Sequence, residues 1–459
     1  MSETTERLST EEVARRLGVK RETVYAYVSR GLLQRHPASG PHHSEFDPDE
    51  VERLATRARR PDRSSALEVV VETELTLLEP EGRLSYRGRD AIELARFRGF
   101  EEVVSLLWGG APPTPWELGA ERAAAIEALG GALGPDAPDA DRIAAVVAVL
   151  AARDPRRDAR DPDSVRRAGS EVFAGILTAL GRDRSQAGPT GEGSTAKRRA
   201  GAADRKSTAT RRATATGGDA SMNLAARLWA ALTGPETKPR PEQVAALNAA
   251  LILLADHELA ASTFAARVAA SAWAGPYRVI LAGLGPLGGA LHGGAGPAVE
   301  ALLDEVAAGV DPGAALDARL AAGDVPGFGH RVYRDRDPRA DHLLERLGIP
   351  TLVLLSPTGR QKDQGSHVAA AAALLEAAAE RGMPAPNVDF ALAALVRAHG
   401  LRDGASPTIF TVARIAGIVA HALEEYGYRL RFRPRASYVG PTPPTDWSRG
   451  EARRGPRGG

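Results

Sequence analysis

His292 stands between glycines, in the run Gly288-Gly289-Ala290-Leu291-His292-Gly293-Gly294-Ala295. Glycines on both sides let a ligand and the backbone approach the ring closely and permit unusual backbone angles. The same run also suits a glycine-rich corner between helices, with the histidine incidental. His330 follows Val325-Pro326-Gly327-Phe328-Gly329 and leads into Arg331-Val332-Tyr333-Arg334-Asp335-Arg336-Asp337-Pro338-Arg339. Such alternating charge can be a solvated, ion-paired surface. Arginines behind a Gly-aromatic-Gly turn also suit a di- or tricarboxylate, because guanidinium grips carboxylate through two parallel hydrogen bonds.

One acid stands apart. Asp389 lies in Pro386-Asn387-Val388-Asp389-Phe390-Ala391-Leu392, among apolar neighbours that would raise its pKa by desolvation. It reads either as a general base or as a helix N-cap. Asp256-His257-Glu258 closes a strongly apolar helix, and Arg414 sits inside the apolar segment Ile409 to Val419. A charge on a buried helix needs a partner, and a carboxylate ligand would serve.

Other chemistries are disfavoured. Gly283-Leu284-Gly285-Pro286-Leu287-Gly288 matches the dinucleotide fingerprint G-x-G-x-x-G, but Pro286 lacks an N–H the pyrophosphate would need. No alternation of strands and helices surrounds it. With no cysteine in the chain, a disulfide framework, a cysteine zinc site and a thiol nucleophile are excluded, and a reducing compartment is expected.

The elements that must position these residues follow from length and patterning. A chain of 459 residues with 43% hydrophobic and 25% charged side chains is globular and long enough for two or three domains. Its net charge of +1 conceals an uneven distribution: residues 1–63 carry +1, residues 182–212 carry +6 and residues 429–459 carry +6, leaving −12 on the remainder. The N-terminus has no apolar signal core, and no apolar run reaches transmembrane length, the best being Val244 to Ala255. A soluble cytoplasmic protein is expected.

Ser9 and Glu12 have capping-box spacing, opening a helix that carries Val13, Ala14 and Leu17 on one face and stops at Gly18. A second helix, Arg21 to Arg30, ends at Gly31. A wing between Gly31 and Phe46 and a third helix, Asp49 to Arg59, complete a helix-turn-helix module over residues 1–60. Lys20, Arg21, Thr23, Tyr25 and Ala26 would start the recognition helix. This module resembles the winged helix-turn-helix of the mercury-resistance (MerR) and excisionase regulators, which implies DNA as a partner. Its near-neutral charge leaves a helical docking module open as the alternative. Next, Leu67 to Leu78 reads as a strand that turns at Pro80-Glu81-Gly82 and returns through Leu84 to Tyr86. From Ala91 onward the periodicity is helical, rich in Ala and Leu. Residues 185–220 lack apolar periodicity and read as a disordered basic insertion, and 441–459 as a flexible tail.

Taken together, the motifs resemble the citrate synthase family. They are Ala255-Asp256-His257-Glu258, Ala261-Ser262-Thr263-Phe264-Ala265-Ala266-Arg267, Leu291-His292-Gly293-Gly294-Ala295, Gly327-Phe328-Gly329-His330-Arg331-Val332-Tyr333, Asp337-Pro338-Arg339, Asn387-Val388-Asp389-Phe390 and Arg433-Pro434-Arg435, in that order. The resemblance covers residues 66–445 and implies a mainly α fold with a short N-terminal hairpin. It also implies a large and a small helical domain, the small one at roughly 293–400, closing over the substrates.

The implied reaction is condensation of acetyl-CoA with oxaloacetate and hydrolysis of citryl-CoA. Acyl-CoA enters as co-substrate, with no permanently bound cofactor, no metal and no membrane partner. By motif, Asp389 is implied as the base at the acetyl methyl group, His292 as the donor to the thioester oxygen and His330 as the group that polarises and protonates the ketone. His257, Arg339 and Arg414 are implied at oxaloacetate, and Arg433 reaches the site of the other subunit in a homodimer or higher homo-oligomer. Val325, Gly327, Phe328 and Gly329 line the loop near the CoA adenine. Two other readings stay open: 2-methylcitrate synthesis from propionyl-CoA, and a DNA-binding metabolite sensor on the same scaffold.

Overall fold

Ser9 and Glu12 cap the first helix reciprocally. The Glu12 N–H donates to Ser9 Oγ at 3.3 Å, and the Ser9 N–H donates to Glu12 Oε2 at 2.9 Å. The computed structural model describes residues 7–17, 24, 28, 33, 36–37, 44–48 and 51 near the N-terminus. It then describes 71–111, 116–182, 223–349, 366–428 and 431–433, less 135, 235–236, 290–291, 293 and 324. The chain divides into two units, Met1–Glu72 and Thr73–Gly459.

In the first unit, β1 (Leu8–Ser9), β2 (His36–Pro37) and β3 (Ser44–Phe46) form an antiparallel sheet in the order β1-β3-β2. Helix α1 (Thr10–Leu17) lays Val13 and Ala14 into a small core with Leu8, Val24, Leu33, Phe46 and Val51. The β2–β3 pair falls within the stretch expected to form a wing. Lys20, Arg21, Thr23, Tyr25 and Ala26 lie outside the described residues, as does the third helix beyond Val51.

The second unit opens with β4 (Thr76–Glu79), β5 (Arg83–Tyr86) and β6 (Arg89–Asp90), antiparallel in that order. The hairpin is shorter than its apolar pattern suggested. Upstream of Thr76 the Glu74 N–H donates to Glu424 rather than to the ladder, at 2.8 Å, and the Thr73 hydroxyl joins it on the same carboxylate at 2.8 Å. Fifteen helices follow among the described residues: α2 (Ala91–Phe97), α3 (Phe100–Leu107), α4 (Ala120–Leu133), α5 (Asp139–Arg153), α6 (Pro162–Arg182), α7 (Leu224–Thr233), α8 (Pro241–Leu254), α9 (Ala261–Ser271), α10 (Pro276–Leu287), α11 (Gly296–Ala307), α12 (Pro312–Ala322), α13 (Pro338–Arg346), α14 (Ser366–Glu380), α15 (Val388–Ala398) and α16 (Ala405–Gly427). The basic insertion at 185–220 and the tail at 441–459 lie outside the described residues.

Helix α16 runs through the centre and touches α6, α8, α9, α10 and α15. Contrary to the sequence reading, it is long and apolar enough to cross a bilayer. However, 83% of its apolar window is buried inside the protein, so it is a core helix. Small residues let its neighbours come close. A Cβ at Gly283 of α10 would lie 2.6 Å from Ile418 Cδ1 of α16. The G-x-G-x-x-G run is thus interior to α10 until its last glycine, and Gly283 serves helix packing rather than a phosphate turn.

Two groups cap the C-terminal end of α8. Tyr86 Oη donates to Ile252 O at 3.0 Å, and Arg414 Nε donates to Leu254 O at 3.0 Å. The last carbonyls of a helix have no partner inside it and carry the negative end of its dipole, so a guanidinium there is doubly favoured. This contact delivers Asp256 and His257 to one fixed point.

Candidate active site

His257, His330 and Tyr333 form one aromatic cluster. The His257 and His330 rings are 5.2 Å apart edge to face, and His330 and Tyr333 are 4.6 Å apart. His257 owes its place to the turn after α8, where Glu258 takes a left-handed φ of 55°. Burial drives the His257 pKa well below the usual range, and Arg339, Arg414 and the neighbouring histidines push the same way. The ring is therefore neutral, and its buried Nε2 has no partner among the described residues.

His330 has its tautomer set by the backbone. The Val332 and Tyr333 N–H groups donate to its Nδ1 at 3.0 and 3.2 Å, so in the neutral ring the proton sits on Nε2. Burial, with Arg339 adding to it, lowers this pKa to about 4. His330 is then a neutral donor through Nε2–H. Arg339 Nη2 lies 3.4 Å from that nitrogen and places a fixed positive charge beside it.

Asp337 holds this arrangement together. It caps α13, and its carboxylate receives Arg339 Nε and Nη2 at 2.9 and 2.8 Å. The same carboxylate accepts the N–H of Val388, the first residue of α15, at 3.0 Å. One buried acid therefore ties the arginine to the helix that carries Asp389. Burial opposes its ionisation, but Arg339 outweighs that and keeps its pKa below the usual carboxylate range.

Asn387, not Asp389, caps α15. Its Oδ1 accepts the N–H groups of Asp389 and Phe390, and its Nδ2 donates to Gly329 O at 2.9 Å. The carboxylate of Asp389 is thereby spared for other work. Burial raises its pKa, partly offset by Arg339 and Arg414. The segment 327–329 is laced to 385–387 by Asn387 N–H to Gly327 O and Gly329 N–H to Ala385 O, at 2.9 and 2.8 Å. Gly327 has φ +91°, and a Cβ there would meet Val299 Cγ2 at 2.9 Å. Phe328 packs on Phe390, and Val325 is buried. Val325, Gly327, Phe328 and Gly329 thus lie beside the base of α15.

Arg414 is fully buried and stands over Phe410 at 4.9 Å. Its Nη1 has no partner, and it makes no ion pair among the described residues. Phe410 also meets the ring of His292 edge on, at 6.2 Å. Ser262 Oγ lies 2.9 Å from His292 Nε2, and burial with Arg414 lowers the His292 pKa to about 4. Arg433 is not brought to this cluster. It is exposed and follows Phe432, whose N–H donates to Ser271 Oγ at 3.4 Å.

Eight of the predicted site residues are thus linked by contact or by charge: His257, His292, His330, Arg339, Asp389, Arg414 and, through the backbone, Gly327 and Gly329. The sequence reading passed over Ser262, Tyr333 and Asp337. Asp337-Pro338 is a legible helix start, because an N-cap acid precedes proline at the first helical position; its second role, on Val388, is set by the fold. A cavity of about 250 Å³ opens beside His330, Tyr333, Asp337 and Pro386. His257, His292, Asp389 and Arg414 are absent from its lining, so it lies next to the cluster rather than within it. Buried groups without a partner among the described residues are also found here, on Arg414 Nη1, His257 Nε2 and Tyr333 Oη.

Residues 66–435 match the family model described as citrate synthase, C-terminal domain, and residues 8–58 match that of the MerR HTH family regulatory protein. The chain is 33% identical over 387 residues to a citrate synthase of Haloferax volcanii, covering 81% of this chain and 94% of that one. It is 40% identical over 211 residues to citrate synthase 2 of Bacillus subtilis, where the match covers 46% of this chain and about half, 54%, of the relative. A 2-methylcitrate synthase 2 of Corynebacterium glutamicum is 28% identical over 385 residues, 80% of this chain and 92% of that one. Among solved structures, the citrate synthase of Thermoplasma acidophilum, in ternary complex with carboxymethyl coenzyme A and oxaloacetate, superposes with a TM-score of 0.60. Its identity is 25%, covering 82% of this chain and 95% of that one.

The Asp337 pin has a measurable weight. Replacing Asp337→Ala leaves Arg339 buried without its counter-charge and frees the Val388 N–H, so stability is expected to fall by about 3–5 kcal/mol. Denaturant unfolding monitored by circular dichroism checks this, and an unchanged midpoint would refute it.

Proposed function

Because this chain belongs to the citrate synthase family, we propose that its site condenses acetyl-CoA with oxaloacetate and hydrolyses the product thioester to citrate and CoA. The observation that carries this reading is the set of unpaired buried groups on Arg414, His257 and Tyr333 beside Arg339 and His330. A dianionic keto acid would satisfy them: Arg339 and Arg414 take its carboxylates, His257 donates a further hydrogen bond, and the ketone oxygen faces His330 Nε2–H.

Asp389 removes a proton from the acetyl methyl group. Negative charge moves onto the thioester oxygen, where neutral His292 donates; with Nε2 engaged by Ser262, Nδ1 is the nitrogen left for it. A donor aimed at a developing oxyanion is worth about 3–4 kcal/mol. The enolate carbon then attacks the ketone carbon, a C–C bond forms, the ketone oxygen takes a proton from His330, and the proton that Asp389 took from the methyl group returns to that ring through solvent. Water cleaves the thioester, releasing CoA as the free thiol, and no protein thiol takes part. The backbone of Val325, Gly327, Phe328 and Gly329, laced to α15, serves the CoA side. Arg433 completes the site from a second copy of the chain, which accords with its exposure here.

Propionyl-CoA differs from acetyl-CoA by one methylene, worth only about 1–3 kcal/mol in a fitted pocket, so both acyl donors enter the test. Thiol release from purified protein is expected to require oxaloacetate and to favour acetyl-CoA. It should fall by about 10²–10⁴-fold in Asp389→Ala. Release with neither acyl-CoA would refute the reading, and a preference for propionyl-CoA would convert it to 2-methylcitrate synthesis.

The active Asp389 is the ionised one, and burial raises its pKa. The rate kcat/KM should therefore fall as pH drops through a value above the ordinary 3.8 of aspartate. A pH profile with no acid limb above that value would contradict the assignment.

Residues 1–60 add a DNA-binding reading, favoured by the helix-turn-helix match at 8–58. A gel-shift assay on genomic fragments at fixed salt is expected to show a complex that disappears when residues 1–60 are deleted. A shift that survives the deletion would place DNA binding elsewhere in the chain.

A further inference from the structure

Behind the cluster runs a buried polar chain that the proposed reaction does not use. Arg267 of α9 is fully buried and donates to three acceptors on α16: Glu425 at 2.8 Å, Glu424 at 2.5 Å and His421 Nδ1 at 2.9 Å. A guanidinium only donates, so Nδ1 is the acceptor and the proton of the neutral ring sits on Nε2. That nitrogen lies 3.3 Å from Asp256 Oδ2. The same oxygen also receives Thr76 Oγ1 at 2.6 Å and the Glu258 N–H at 3.1 Å.

The arrangement is lopsided. Three donors crowd Oδ2, whereas Oδ1 has no partner among the described residues. Burial opposes the charge on Asp256, yet His421, Arg414 and Thr76 together keep its pKa low. Asp256 is therefore an anion within the field of Arg414, with no ion pair between them among the described residues, and Arg414 Nη1 stays open. In a medium of low dielectric such a pair would be expected to close unless other bonds hold the carboxylate back.

We propose that His421 is a positioning residue. Through Nε2–H it holds Asp256 away from Arg414 and so preserves a free guanidinium edge for the keto-acid substrate. The same carboxylate, through the Glu258 N–H, pins the left-handed turn that presents His257. This inference rests on the role given to Arg414 above.

Two substitutions separate positioning from mere packing. In His421→Asn the amide oxygen can replace Nδ1 as acceptor for Arg267, but no donor reaches Asp256. In His421→Gln the amide N–H reaches the place of Nε2 and restores that donor. Calorimetric titration of oxaloacetate into the full-length protein should show affinity about tenfold weaker in His421→Asn and within about threefold of wild type in His421→Gln. Thiol-release kinetics should show the same rise in KM for oxaloacetate with a smaller change in kcat.

Wild-type affinity in both variants, or equal loss in both, overturns the proposal. Should both variants be insoluble, Thr76→Val strips a donor from the same oxygen: tenfold weaker binding supports the proposal, and wild-type affinity overturns it. Wild-type protein that binds oxaloacetate but releases no CoA defeats the condensation reading alone. Protein that does not bind oxaloacetate defeats both.

Discussion

Two of the buried guanidinium groups, Arg339 and Arg414, lie at the candidate site among apolar helices, and the rest of the site follows from how their charge is handled. Arg339 has a full counter-charge in Asp337, two residues away on the same helix start. Arg414 has only a backbone carbonyl, an aromatic face and a carboxylate held at a distance. A buried cation without a partner is expensive, and the expense is tolerable where a ligand will supply the missing anion. The difference between the two arginines leaves Arg414 as the one without a contact counter-charge among the described residues, although in the proposed reaction both receive the carboxylates of the substrate.

Their charge also sets the chemistry of the histidines around them. Burial first, and the arginine charge beside each ring second, hold His257, His292 and His330 neutral. Neutral imidazole is a weaker acid than imidazolium, yet it can donate without adding a third positive charge to a crowded site. Each ring is then aimed by its other nitrogen or by packing: His330 by two backbone N–H groups, His292 by Ser262. Helix ends do much of this aiming. The C-terminal end of α8 is fixed by Tyr86 and Arg414, and the start of α15 is fixed by Asn387 and Asp337.

Motif residues were legible in the sequence because their neighbours are chemically unusual: glycines around His292, apolar residues around Asp389, an arginine inside an apolar helix. Helical periodicity from Ala91 onward was equally plain. What could not be read was the second partner of each group. Asp337 announces itself as an N-cap, but its bond to Val388 spans 51 residues of sequence. The Arg267–His421–Asp256 chain joins positions more than 150 residues apart, and no local pattern encodes it. Asp389 as an N-cap was a fair alternative from sequence alone; Asn387, two residues earlier, takes that place and settles it. The length of the hairpin was overread for a related reason, since the Glu74 N–H goes to Glu424 rather than to the ladder.

In the proposed reaction Asp389 is the base, and its surroundings balance it against the two arginines. A carbon acid requires a strong base, and burial makes Asp389 stronger by disfavouring its ionised form. Taken too far, the same effect would leave it protonated and useless. Arg339 and Arg414 oppose it and favour the carboxylate, while Asp337 works with burial. Because Asp337 neutralises Arg339 at contact distance, the stabilisation that Asp389 receives from that arginine is partly cancelled. Arg414 is the less compensated of the two until a dicarboxylate arrives. An arriving dianion would then cancel its charge as well, pushing the proton affinity of Asp389 upward at the stage when the base is needed. In the proposed reaction, the bound anion would thus also adjust the base that acts beside it.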